Sequence, residues 1–227
     1  MIQYPNGWWR CVVVGTSSVT SSQSHIIQGS TTGGSLTGSY TGLNGAAFYI
    51  YGSQVEAGTS ATSYIPTTTA SVVRSADACS ISGAAFSGFY NQSEGTVYTE
   101  SRPATVNGTT TTFGLSNGTS NERWLNRFAQ NEQVVIASAG TESSLDALDP
   151  VAGTLYKVAT AGKLNDFSMS INGLAVVTNT SQPMPVVDSA GIGNALGAVA
   201  GSGAVTIAAI RYYKKRLPNA KIQALTA

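Results

Sequence analysis

Phe167-Ser168-Met169-Ser170-Ile171-Asn172-Gly173-Leu174-Ala175-Val176-Val177 alternates apolar and hydroxyl side chains up to an Asn-Gly pair. A period of two sends Phe167, Met169 and Ile171 to one face of a strand and Ser168 and Ser170 to the other. Asn-Gly supplies the two positive-φ residues of a type I′ turn, and Ala175 and Val177 resume the apolar face after it. The stretch predicts a β-hairpin with one face in a core and one in solvent.

The same turn signal recurs at Asn6, Asn44, Asn107 and Asn117, which implies many short antiparallel strands. Strand-like runs occupy 8–14, 47–51, 96–101, 110–115, 133–138, 155–159 and 204–213. Helical patterning is confined to the last ten residues, where Pro218 suits a first turn and Ile222 and Leu225 share a face. Strands of this length, bounded by Gly, Ser, Thr and Asn, describe an all-β sandwich. The proline-stiffened stretch Ile65-Pro66-Thr67-Thr68-Thr69-Ala70 reads as a boundary. It divides the chain into a partial β domain over 1–66, a linker over 67–78 and a sandwich over 79–227. The first part is too short for a complete sandwich, so its open sheet needs covering by the second domain or by another copy of the chain.

The composition removes whole classes of function. Of 227 residues 10% are charged and 42% hydrophobic, and 12 Lys+Arg against 11 Asp+Glu leave a net charge of +1. That field is too weak to recruit nucleic acid. Cys11, Cys79 and His25 are too few for a structural zinc site. The start, Met1-Ile2-Gln3-Tyr4-Pro5-Asn6, has no signal-peptide pattern, so synthesis in a cytoplasm is expected, with both thiols free and packed and a bridge between them as the alternative. The uncharged stretch 189–210 has the length of a membrane span, but it holds five glycines and one leucine, and membrane insertion is not expected.

Two longer motifs resemble known families. Phe48-Tyr49-Ile50-Tyr51-Gly52-Ser53-Gln54-Val55-Glu56-Ala57-Gly58, followed by Thr62-Ser63-Tyr64-Ile65-Pro66-Thr67, is similar to the end of carbohydrate-binding-module-like jelly rolls in tailed-phage virion proteins. Gly7-Trp8-Trp9-Arg10-Cys11 resembles an earlier strand of the same modules. Ser93-Glu94-Gly95-Thr96-Val97, the hairpin above, and Tyr212-Tyr213-Lys214-Lys215-Arg216-Leu217-Pro218-Asn219 with the helix after it resemble laminin-G-like, concanavalin A-like sandwiches. The resemblance implies a partial jelly-roll sheet, then a concanavalin A-like β-sandwich with one short C-terminal helix. It further implies a bacteriophage tail-fibre or similar appendage protein, assembled in the host cytoplasm and carried on the virion. Host-surface polysaccharide and other virion proteins would be its partners, and a homotrimer its state. The alternatives are a purely architectural virion protein and a polysaccharide depolymerase.

Glycoside hydrolysis needs two carboxyl groups about 5–10 Å apart. Glu94 and Glu100 stand six apart with no acid between them, and Glu142, Asp146 and Asp149 lie in a loop-like stretch, so a non-catalytic protein is expected. His25 has no nucleophile-elbow sequence near it and reads as a strand-end residue. No cofactor is expected; calcium would draw on Asp146, Asp149, Asp166 and Asp188, whose spacing supports no site. Sugars stack their C–H faces on aromatic rings. The runs 8–13 and 48–51 carry large apolar groups on both faces and are expected to be buried. Trp124 sits among Asn121, Arg123 and Asn126, amides and a guanidinium suited to reading hydroxyls, and these four are the candidate glycan-binding residues.

Overall fold

The computed structural model describes residues 2–16, 49–57, 61–73, 79–104, 106, 110–129, 132–196 and 204–227. Asn44, Asn107 and His25 lie outside them. The chain separates into two compact units, Met1–Val73 and Arg74–Ala227.

The first unit has little regular structure. Strands β1 (Ile2–Gln3) and β2 (Trp9–Arg10) pair across the turn at Asn6-Gly7, where Gly7 has φ 83°. The predicted strand at 47–51 is not formed over its described residues. Side chains take over the work of a ladder there. Gln54 Oε1 accepts from the Ile65 amide at 2.8 Å, Glu56 accepts from the Thr62 amide at 2.6 Å, and Arg10 donates to the Thr62 carbonyl. Gln54 and Glu56, two apart on extended chain, point the same way and clip the 62–65 segment alongside. The expected burial of 8–13 and 48–51 is overturned: Trp9 is 54% and Tyr51 77% exposed. Tyr51 stands edge-on to Trp8 and tilted against Tyr64 on that surface.

The second unit is the predicted sandwich. Its strands are β3 (Cys79–Ser82), β4 (Glu94–Pro103), β5 (Thr110–Ser116), β6 (Arg123–Ala129), β7 (Glu132–Ser138), β8 (Thr141–Leu145), β9 (Tyr156–Lys163), β10 (Asp166–Ile171), β11 (Val177–Asn179), β12 (Ser189–Ile192) and β13 (Val205–Tyr213). They form a six-stranded sheet, β3-β12-β5-β6-β7-β8, and a five-stranded sheet, β11-β10-β9-β4-β13. The hairpin around Asn172-Gly173 is β10 and β11, with Asn172 and Gly173 at φ 47° and 73° as a type I′ turn requires. Its hydroxyl face is not in solvent as expected: Ser168 and Ser170 are fully buried, and Ser170 meets Thr226 of the C-terminal helix. Phe167, Met169 and Ile171 are all fully buried and meet Trp124, Phe128, Leu115 and Ile136 from the other sheet. Each such side chain contributes about 1.5–3 kcal/mol on burial.

The sheets are also joined by hydroxyl and amide groups. Ser101 and Thr112 lie 3.1 Å apart across the core, and Thr160 Oγ1 donates to Asn126 Oδ1 at 3.0 Å. The C-terminal helix α2 (Asn219–Thr226) packs Ile222 and Leu225 on the outer face of the five-stranded sheet, against Tyr98, Ala159 and Ala161. Arg216, just before it, is held by Asp166 and Ser168. A second helix, α1 (Gly83–Phe89), was not predicted. It closes the side of the sandwich between edge strands β3 and β13: Phe86 enters the core, and Phe89 and Tyr90 pack on Tyr212. No described helix is long and apolar enough to cross a membrane. Cys79, like Cys11 in the first unit, is free and exposed, which corrects the expectation that both thiols are packed.

Candidate functional site

The four residues expected to read a glycan do not share a surface. Strand β6 alternates, so Trp124, Asn126 and Phe128 turn into the sandwich while Arg123, Leu125 and Arg127 turn outward. Trp124 is 1% exposed and edge-on to Phe167 at 5.3 Å, which leaves no ring face for a sugar. Asn126 spends its carbonyl on Thr160 in the opposite sheet. Arg123, on the outer face, is ion-paired to Glu142. Asn121 is exposed in the turn before β6, where its carbonyl accepts from the Gly140 amide at 3.2 Å.

The outer face of the six-stranded sheet is itself partly roofed. Residues 194–196 fold back over it, and Ala195 packs on Leu125 and Val135. A Cβ on Gly191 would come within 2.7 Å of the Asn194 carbonyl, so that close approach requires glycine. Arg123 and Arg127 are only 7% and 6% exposed on this face.

An opening lies instead beside α1. The segment 180–188 carries the chain from β11 in one sheet to β12 in the other, braced by Gln182, which donates to the Thr141 carbonyl at 3.1 Å. Glu122 accepts from the Val186 amide at 2.7 Å and fixes the end of that crossing. Between the crossing and the helix runs a shallow groove of about 670 Å³, floored by Phe86, Val187 and the ring of Tyr90. Its polar wall is Ser82, Ser87, Gln92, Asp188 and Ser189. Ser82 and Ser189 are there because they oppose one another in the β3/β12 register, and Ser87 because it lies one turn along α1 from Gly83. Sequence reasoning missed this site, since its residues come from two stretches about a hundred positions apart.

The electrostatics of the groove are simple. Asp188 is its one carboxylate, exposed, with Ser189 Oγ 3.0 Å away. Ser189 Oγ also lies 2.8 Å from the Ser116 carbonyl, Ser87 Oγ donates to the Ala84 carbonyl at 3.4 Å, and Gln92 Nε2 to the Pro185 carbonyl at 2.7 Å. Burial, and then the neighbouring Tyr212, push the Tyr90 phenol well above its ordinary range, so it stays neutral. Its hydroxyl is buried with no hydrogen-bond partner.

Three carboxylates outside the groove are engaged in the structure. Glu94 accepts from the Arg216 amide at 2.9 Å, Glu142 pairs with Arg123, and Asp166 holds Arg216 at 2.7 Å. Among the described residues no three His, Cys, Asp or Glu side chains are grouped to hold a metal ion.

The chain matches no family model, and no curated protein matches it closely enough to count as a relative. It is similar to solved structures. One is the CBM40 module of the Ruminococcus gnavus IT-sialidase bound to α2,3-sialyllactose, at TM-score 0.51 and 18% identity, over 60% of this chain and 84% of that one. The same module with α2,6-sialyllactose gives 0.52 and 18%, over 60% and 85%. Domain 4 of AbnA, a GH43 arabinanase of Geobacillus stearothermophilus in complex with arabinotriose, gives 0.50 and 15%, over 60% and 68%. At these identities the likeness is one of fold, a β-sandwich of the carbohydrate-binding-module kind.

Proposed function

We propose that the chain is a non-catalytic glycan-binding protein of a phage virion appendage, holding host-surface polysaccharide in the groove beside α1. The observation that carries the reading is the groove itself. A carboxylate, an amide and three serines stand over an apolar floor that includes the Tyr90 ring. Carbohydrate sites combine polar groups that fix orientation with apolar surface for the ring face. The fold likeness to modules whose structures hold sialyllactose and arabinotriose agrees with it. Of the residues that line the groove only Asp188 has a carboxyl group, whereas hydrolysis needs two; this supports binding without cleavage. The virion setting and the homotrimer rest on the sequence resemblance, and residues 1–73 favour a role in assembly beside it. Thirteen of the eighteen exposed large hydrophobics of the described residues lie there, with Arg10 and Glu56 the only Lys, Arg, Asp or Glu. An uncharged apolar surface of that kind marks a protein contact. A purely architectural role is the second reading, and the same surface favours it.

The test is a glycan array and a host-polysaccharide retention assay on the full chain, with reducing ends measured alongside. Retention without new reducing ends is expected. Silence across the host's surface glycans would leave the architectural role, and released reducing ends would establish a depolymerase.

A further inference from the structure

The proposed ligand can be narrowed from the hydrogen bonds that the groove has already spent. Resting on the glycan-binding reading, we infer that the α1 groove takes an uncharged saccharide through that sugar's hydroxyl donors and turns away sugars that carry a carboxylate. Three of the groove's donor hydrogens point back into the protein, Ser87 Oγ to Ala84, Ser189 Oγ to Ser116, and one Gln92 Nε2 hydrogen to Pro185, which leaves the second Gln92 N–H and the Ser82 hydroxyl to donate. What the wall offers a ligand is therefore mostly acceptors, namely the Asp188 carboxylate, the Gln92 carbonyl and serine lone pairs. A sugar hydroxyl can donate to all of them, and its bond to Asp188 is charge-assisted. A carboxylate accepts only; it would find few donors here and would face Asp188, a like charge.

Nearby cations do not reverse that balance. Lys214 Nζ bonds the Gly88 carbonyl at 2.9 Å, near the far end of α1, and does not line the groove. Arg123 and Arg127 belong to the outer sheet face, nearly covered, and do not line it either. This chain thus departs in its ligand chemistry from the neighbours of its fold whose structures hold sialyllactose, and stands with the one that holds arabinotriose.

The experiment uses the full chain on an array of paired glycans that differ only in a terminal sialic or uronic acid. Bound glycans are then titrated calorimetrically against the wild type, Asp188→Asn and Gln92→Ala. Asp188→Asn keeps the shape of an exposed side chain, and an unchanged melting temperature verifies its fold. The expected result is binding of the uncharged member of each bound pair, weakened about 10- to 100-fold by Asp188→Asn. Preference for the acidic member would overturn the inference while keeping the glycan-binding reading. So would uncharged binding that Asp188→Asn and Gln92→Ala leave unchanged. Silence across the whole array would overturn the glycan-binding reading and this inference with it.

Discussion

Gly95 and Gly162 oppose one another in β4 and β9, and each leaves room for an aromatic side chain: Tyr212 over the first, Phe167 over the second. A Cβ at Gly162 would collide with the fully buried Phe167 ring, so Gly162→Ala is expected to cost about 1–3 kcal/mol of stability through overpacking. Denaturant titration checks this, and an unchanged midpoint would show that the ring moves freely. Trp124→Ala removes a fully buried indole and should cost about 3–5 kcal/mol. The intact Trp124 serves the core, so a variant that kept its stability and lost glycan binding would return Trp124 to the ligand surface. The sequence neighbourhood of Trp124 misled because Arg123 and Asn126 are also nearly buried, one paired to Glu142 and the other bonded across the core to Thr160. Composition identifies polar residues but not the partner that satisfies them. The Asn172-Gly173 turn was legible for the opposite reason, since its chemistry is local and needs no distant partner.

Among the elements, α1 shows how far tertiary packing can override local preference. Gly-Ala-Ala-Phe-Ser-Gly-Phe holds two glycines and has no side-chain N-cap bond, so nothing in the stretch announces a helix. It forms because Phe86, Phe89, Tyr90 and Tyr212 pack into one aromatic cluster that closes the sandwich. Strand β6 was equally hidden: Arg-Trp-Leu-Asn-Arg-Phe-Ala is buried on both faces and shows no apolar alternation. Strands β4, β5, β7, β9, β10 and β13 were legible because their runs are β-branched or aromatic and end in turn residues. The cluster has a consequence in alkali. Burial raises the phenols of Tyr90 and Tyr212 above the ordinary value of about 10. Their folded values exceed their unfolded ones, so the stability they contribute is complete below that ordinary value and is lost as pH rises through the folded ones. A phenolate absorbance titration should show two or more tyrosines ionising late, with faster amide exchange in 83–92 as they do. A single transition of all 10 tyrosines near the ordinary value would contradict the packing of α1.

At the scale of the whole molecule, the chain combines a compact sandwich with an N-terminal unit that exposes Trp9, Tyr51, Val13 and Val73. With 10% of its residues charged, the sequence has little charge to place on either unit, and under the proposed function the second unit holds the saccharide while the first makes the assembly contact. If residues 1–73 hold copies together, multi-angle light scattering should give three chain masses, and Trp9→Asp with Tyr51→Asp should reduce this to one. A wild-type monomer would contradict the trimer and leave the groove untouched. The groove is tested most directly by amide and methyl chemical-shift mapping of the full chain with a bound uncharged oligosaccharide. The expected result is a cluster of shifts at Ser82–Tyr90, Gln92 and Val187–Ser189. Shifts confined to the outer face of β6, or to residues 1–73, would place the ligand elsewhere and contradict the α1 site.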